Sequence, residues 1–213
     1  MSKEEVKKRI IARSDDLKTE RREHILATAR EIVLKNSYGA LSLRKLAAEI
    51  GCAPGTIYLY FKNRDELVRE ICYDGFKELY EEMKPAAEVV DPQKRIAALL
   101  KAYAAFAVKK PDTYRLSFME DPKFTAEMFR AAPLDEVGAG WESFDLLVKA
   151  VKDLKQTGTL PPKTDEILLA EVLWTGIHGA ISLKLIYPAF PTNPLERLIE
   201  KMIEILINGI HST

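Results

Sequence analysis

Cysteine is scarce in this chain of 213 residues: Cys52 and Cys72 are the only two. They form no CxxC pair, which argues against a disulfide framework and against a zinc site. Both thiols are expected to stay reduced in a cytosol. The three histidines, His24, His178 and His211, lie far apart and make no HExxH pair. There is no glycine-rich phosphate loop and no serine in a GxSxG setting. No catalytic constellation can be assembled, and no cofactor or metal is implied. Alternating strand patterns and internal repeats are missing as well. Residues 1–17 are too charged for a signal peptide. What remains is an all-α protein expected in the cytoplasm. At 47% apolar and 30% charged residues it is large enough to bury a core without staples.

Net charge is also absent, with 32 Lys+Arg against 32 Asp+Glu, but the balance hides an asymmetry. Residues 1–64 hold 14 Lys/Arg and 8 Asp/Glu, a difference of +6; the remainder holds 18 and 24, a difference of −6. A basic front and an acidic back suit a chain with one nucleic-acid-facing end.

The chemistry concentrates in Ser42–Phe61, SLRKLAAEIGCAPGTIYLYF. Leu43, Leu46, Ala47 and Ile50 recur at helical spacing. Ser42 can cap that helix, and Gly51 can end it in the left-handed conformation. Pro54 stands where a second helix begins, since its missing N–H costs nothing in a first turn. Ile57 and Phe61 give that helix an inward face, and Ala47 is small where the two helices cross. This is the layout of a helix-turn-helix, whose second helix enters the DNA major groove. A preceding helix is expected from about Thr19 to Asn36, with Ile25, Leu26, Ala29, Ile32 and Val33 inward. Residues 1–18 read as an arm or an extension of it. Asn63 and Glu66 read as a capping box that opens a fourth helix, ending near Lys84 before Pro85.

These residues resemble the DNA-binding domain of the TetR family of transcriptional regulators. The matching positions include Ile25, Leu26, Ala29, Tyr38, Ser42, Leu43, Leu46, Ala47 and Gly51, and the run GTIYLYFKNRDEL from Gly55 to Leu67 is the most specific part. The family usually has glycine where this chain has Ser37. The resemblance implies a DNA-binding domain over residues 19–79, with the motif at 42–61, and a C-terminal effector-binding and dimerisation domain over residues 80–213. It assigns phosphate contacts to Tyr58 and Tyr60. It also places a DNA-contacting basic residue at Arg44, and arginine is the usual reader of guanine O6 and N7. Thr56, Lys62 and Arg64 can each meet phosphate, and Ser42 completes the candidate set. Ala53, Pro54 and Gly55 offer no side-chain hydrogen bond, so the start of the recognition helix reads shape and thymine methyls.

The back half reads as helices throughout. Asp91-Pro92 opens one that runs to about Lys110, and Pro111 opens a short one ending near Phe118. A long helix is expected from about Asp135 to Gln156, and another, apolar nearly all round, from about Thr164 to Tyr187. The latter invites a transmembrane reading, but Glu171, His178 and Lys184 interrupt it, so a helix buried on both sides is expected instead. The last helix spans about residues 193–210. Trp174, His178-Gly179 and Ser182-Leu183 resemble the W…HG…SL signature of one TetR C-terminal subgroup, and Pro111-Asp-Thr-Tyr114-Arg-Leu fits it too.

Tyr103, Phe106, Tyr114, Phe118, Phe144 and Trp174 make this region rich in aromatic side chains, with His178 as a polar handle. They are the candidate pocket for a small lipophilic effector. Gly176, Gly179, Leu183, Leu195, Ile199, Met202 and Leu206 are the candidate interface of a homodimer. The expected function is a ligand-responsive repressor that binds a double-stranded DNA operator, without catalysis and without a membrane. The rival reading is a helical protein-interaction adaptor with no salt-sensitive DNA affinity.

Overall fold

The computed structural model describes residues 3–36, 38–119, 138–190 and 193–210. Ser37, the stretch 120–133, the expected helix start at Asp135, Pro191 and His211 lie outside the described residues. Nine α-helices and one 3-10 turn make up the described chain, with no strand among the described residues. They fall into two compact units, residues 1–72 and 73–213.

In the first unit, α1 (Lys3–Asn36) starts well before Thr19, so the expected arm is an extension of the helix. After the 3-10 turn Tyr38–Ala40 come α2 (Leu43–Ile50) and α3 (Pro54–Tyr58). Ser42 caps α2 by accepting from the Lys45 N–H at 3.2 Å. Gly51, at φ 75°, ends it, and the Cys52 N–H reaches back to the Ala47 carbonyl at 2.9 Å. The core holds Ile25, Ala29, Ile32 and Val33 of α1, Leu43, Leu46 and Ala47 of α2, then Ile57 and Phe61. Ile50 and Leu26 are half-buried at its margin. Helix α3 is shorter than its sequence suggests. Phe61 reaches the core from the turn beyond it, where its N–H donates to the Ile57 carbonyl at 3.0 Å.

Helix α4 (Arg64–Ala87) begins at the expected cap. Asn63 accepts from the Glu66 N–H at 2.7 Å. The Glu66 carboxylate reaches back to the Lys62 N–H rather than to Asn63. The helix does not stop at Lys84 but carries Pro85 inside its last turn. A proline there forfeits a single helical bond, and Ala86 and Ala87 offset that by packing on the core of the second unit.

That core is built from the rest of α4, then α5 (Pro92–Lys109), α6 (Pro111–Phe118), α7 (Gly138–Gln156), α8 (Glu166–Ile186) and α9 (Leu195–Ile210). Asp91 caps α5 through the Lys94 N–H at 2.9 Å. Asp165, not Thr164, caps α8 through the Ile167 and Leu168 N–H groups, both at 3.0 Å. Helix α5 packs on α6, α7, α8 and α9. Between α4 and α6 the approach is tight. A Cβ on Gly75 would sit 2.8 Å from the Ser117 hydroxyl oxygen and 3.0 Å from Thr113 Cγ2. Gly75→Val is therefore expected to destabilise the protein by about 1–3 kcal/mol, the usual cost of overpacking, and to lower the midpoint of urea unfolding accordingly.

Helix α8 departs from expectation. It is long and apolar enough to cross a membrane by length and composition. Yet within one chain it is buried on one side only, through Ala170, Leu173, Ile177 and Ile181. Leu168, Val172, Leu183 and Ile186 stay exposed along the opposite side.

Candidate functional site

The nucleic-acid candidates in the first unit sort by exposure. Ser42, Arg44, Pro54, Gly55, Tyr58 and Lys62 are exposed, and Thr56, Tyr60 and Arg64 are half-buried. Helix α3 turns Ile57 inward and thereby holds Tyr58 out, 58% exposed. The two tyrosines part company as their spacing requires. Tyr60 lines a surface groove with Leu17, Glu20, Arg21, His24 and Thr56, against α1. The scaffold beneath is braced by the Arg22–Glu70 ion pair, and the Arg22 guanidinium also lies 4.8 Å from the Phe61 ring centre. Arg64 bonds its neighbour Asp65 at 3.4 Å. Leu59, 80% exposed just after α3, is not among the residues that the sequence singles out. Its signal is an apolar residue between two tyrosines, next to a helix whose other apolar residue, Ile57, faces inward.

In the second unit the aromatic candidates divide in two. Tyr103, Phe118, Phe144 and Trp174 line a cavity of about 260 Å³. Phe76, Leu79 and Met83 of α4, Leu99, Leu100, Gly140, Trp141, Ser143, Leu147 and Glu171 are the other described residues of its wall. Phe106, Tyr114 and His178 do not reach it. Phe106 is a core residue at 1% exposure. Phe76, Leu79 and Met83 recur at helical spacing, but that pattern marks only a buried face of α4 and does not tell a cavity wall from a core.

His178 is not a handle inside the cavity but part of a hydrogen-bonded cluster beside it. Its Nδ1 lies 2.8 Å from the Tyr103 hydroxyl and 2.6 Å from the Tyr114 hydroxyl, and the two hydroxyls are 3.1 Å apart. Burial raises the Tyr103 pKa well above its usual value and pushes that of Tyr114 up to about 12. Both hydroxyls therefore remain donors at neutral pH. Burial also lowers the His178 pKa, which favours the neutral ring with Nδ1 as acceptor. The imidazole stacks on Trp174, ring centres 5.0 Å apart, so the cluster shares Tyr103 and Trp174 with the cavity wall.

A histidine with a depressed folded pKa binds its proton less readily than the unfolded chain does. Its contribution to stability is complete above pH 6.5 and falls away as the pH drops below that value. His178→Gln should flatten the loss of stability between about pH 7 and pH 5, measured as the urea midpoint of each protein at both ends of the range.

The interface candidates also divide. A Cβ on Gly176 would meet Leu206 at 3.4 Å and Met202 at 3.5 Å, so Gly176 is used for packing α8 on α9 of the same chain. Ile199 is buried within the subunit, and Leu195, Met202 and Leu206 pack partly on its core. Gly179 has nothing within 4 Å of where its Cβ would be, and Leu183 is exposed. These two lie on the bare stripe of α8 with Leu168, Val172 and Ile186.

Residues 25–71 match the family model of bacterial regulatory proteins of the tetR family. Residues 96–206 match that of the tetracyclin repressor-like C-terminal domain. The chain is 21% identical over 189 residues to the fatty acid metabolism regulator protein of Bacillus subtilis, covering 88% of this chain and 94% of that protein. It is 41% identical over 59 residues to an uncharacterised HTH-type transcriptional regulator of Haemophilus influenzae, a match of 28% of this chain and 32% of that one. Among solved structures, a protein of unknown function from Rhodococcus sp. RHA1 superposes with a TM-score of 0.74 at 26% identity, covering 89% of this chain and 95% of the other. The transcriptional regulator FadR of Bacillus subtilis, solved in complex with stearoyl-CoA, superposes with a TM-score of 0.69 at 18% identity, covering 88% and 98%.

Proposed function

The chain belongs to the TetR family of bacterial transcriptional regulators, and from that premise we propose that it is a ligand-responsive repressor acting in the cytoplasm as a homodimer on a roughly palindromic operator. It is a DNA-binding regulator by family, and the observation that carries the finer reading is the surface of the helix-turn-helix. The apolar side chains on which α2 and α3 fold are turned in, while Arg44, Tyr58, Leu59 and Lys62 are turned out. Arg44 would read a base edge, Tyr58 and Lys62 would hold phosphate, and Leu59 would meet thymine methyls. Tyr60, Thr56, Ser42 and Arg64 would add backbone contacts from the flanks.

The second copy would cover the bare stripe of α8 and exposed Ile205 of α9. A small lipophilic molecule in the cavity would favour an arrangement of the dimer that no longer fits the operator. Such a shift requires the ligand to bind that arrangement more tightly than the other. That the Bacillus subtilis regulator was solved with stearoyl-CoA supports a small-molecule effector for this chain.

The test is a fluorescence-anisotropy titration of duplex DNA from upstream of the protein's own gene. The repressor reading expects tight binding that weakens steeply with salt. Lys62→Ala should reduce the log–log salt slope by about one for each phosphate that the lysine neutralises. An adaptor would show no such affinity.

A further inference from the structure

The cavity wall has an unusual electrical character for a chain that is 30% charged. Among its described residues one side chain is charged, and that is Glu171. No lysine or arginine is among the described residues that line it. His178, beside it, is driven toward its neutral form; the Tyr103 hydroxyl donates to that of Tyr114, which in turn donates to Nδ1. The rest of the described wall is apolar apart from Ser143, with Leu and Met side chains beside the aromatic residues Phe76, Tyr103, Phe118, Trp141, Phe144 and Trp174. An anionic head group placed here would meet the Glu171 carboxylate and no cation among the described residues, a like-charge contact that disfavours it. A cation would meet the Glu171 carboxylate and an aromatic-rich lining, and aromatic rings attract positive charge.

We propose that the cavity binds a lipophilic cation: an amine or quaternary ammonium on an apolar body, with its charge toward Glu171 and its body among the rings. The volume sets the size. A cavity of about 260 Å³ has room for an octyl chain with a small head group. This assignment rests on the reading of the cavity as the effector site and gives that site a ligand class.

The experiment uses the full-length protein without DNA at pH 7. Both tryptophans of the chain, Trp141 and Trp174, line the cavity, so their fluorescence reports occupancy directly. Octylamine, octanol, octanoate and octanoyl-CoA carry the same chain with four head groups. Octylamine is expected to bind at least tenfold more tightly than octanoate or octanoyl-CoA, with octanol between them. Glu171→Gln should remove that preference, and Glu171→Lys should reverse it in favour of octanoate. Because Glu171 is exposed, both variants are expected to keep the wild-type urea midpoint, which is checked alongside. Tighter binding of octanoate or octanoyl-CoA by the wild type overturns the proposal, as does an unchanged preference in both variants or no saturable binding of octylamine below the millimolar range. If octylamine binds as expected but leaves the operator complex intact, the ligand class stands and the effector reading of the cavity fails.

Discussion

Val172→Glu together with Leu183→Glu is expected to leave the chain folded, convert the proposed dimer to monomer and weaken operator binding on the order of a hundredfold or more, since two linked half-site contacts become independent ones. Both side chains are exposed in the single chain, Val172 at 49% and Leu183 at 42%. Charging them therefore removes nothing from the core. They are eleven residues apart on α8, about three helical turns, so they flank Gly179 on one stripe. A two-fold axis through that stripe would bring each residue against its own counterpart or a neighbour. Four carboxylates would then be buried without partners, which a dimer interface does not tolerate. Gly179 at the centre would let the two α8 backbones approach. Analytical ultracentrifugation with a parallel urea titration separates loss of assembly from loss of fold. A dimer that survives both glutamates would place the interface elsewhere.

The second large effect concerns the operator. Arg44→Ala with Tyr58→Phe should reduce operator affinity about a thousandfold. Each substitution removes one interaction worth at least about 1 kcal/mol, and a dimer makes each of them twice. The two differ in kind. Arg44→Ala alone should relax the preference at one base pair of each half-site, whereas Tyr58→Phe alone should weaken all sequences alike. Replacement of thymine by uracil at the steps facing Ala53, Pro54, Gly55 and Leu59 should cost further affinity through the missing methyl groups. Both effects are read by anisotropy titration at one fixed salt concentration.

The DNA-binding unit was legible in the sequence because its signals are local. Ser42 and Gly51 act on backbone groups within five residues of themselves, and Leu43, Leu46 and Ala47 share a face set by the helical period alone. The starts of α5 and α6 were legible for the same reason, through Asp91-Pro92 and Pro111. The cavity was legible only in part: Tyr103, Phe118, Phe144 and Trp174 border it while Phe106, Tyr114 and His178 do not, because a cavity is a difference between packed surfaces. Tyr103 and Phe106 are three apart on one helix, yet one borders the space and the other fills the core. Glu171 read as a charge that kept α8 from being a membrane span, and only the packing of α4, α5, α7 and α8 gave it a place on a wall. The packing of Leu206 and Met202 against Gly176 likewise depends on how α9 returns along α8, which no local pattern encodes. Pro85 misled for the opposite reason. It is a strong local stop that tertiary packing of Ala86 and Ala87 outweighs.

Sequence-specific DNA recognition by a symmetric pair of helix-turn-helix units is decided by repeated selection of wild-type protein on randomised duplex DNA. Enrichment of a palindrome whose half-sites are centred about one helical turn or a multiple of it apart is expected, with no enrichment by the Arg44→Ala/Tyr58→Phe protein under the same salt. Wild type that enriches no sequence, or a double variant that enriches the same palindrome equally well, would contradict it.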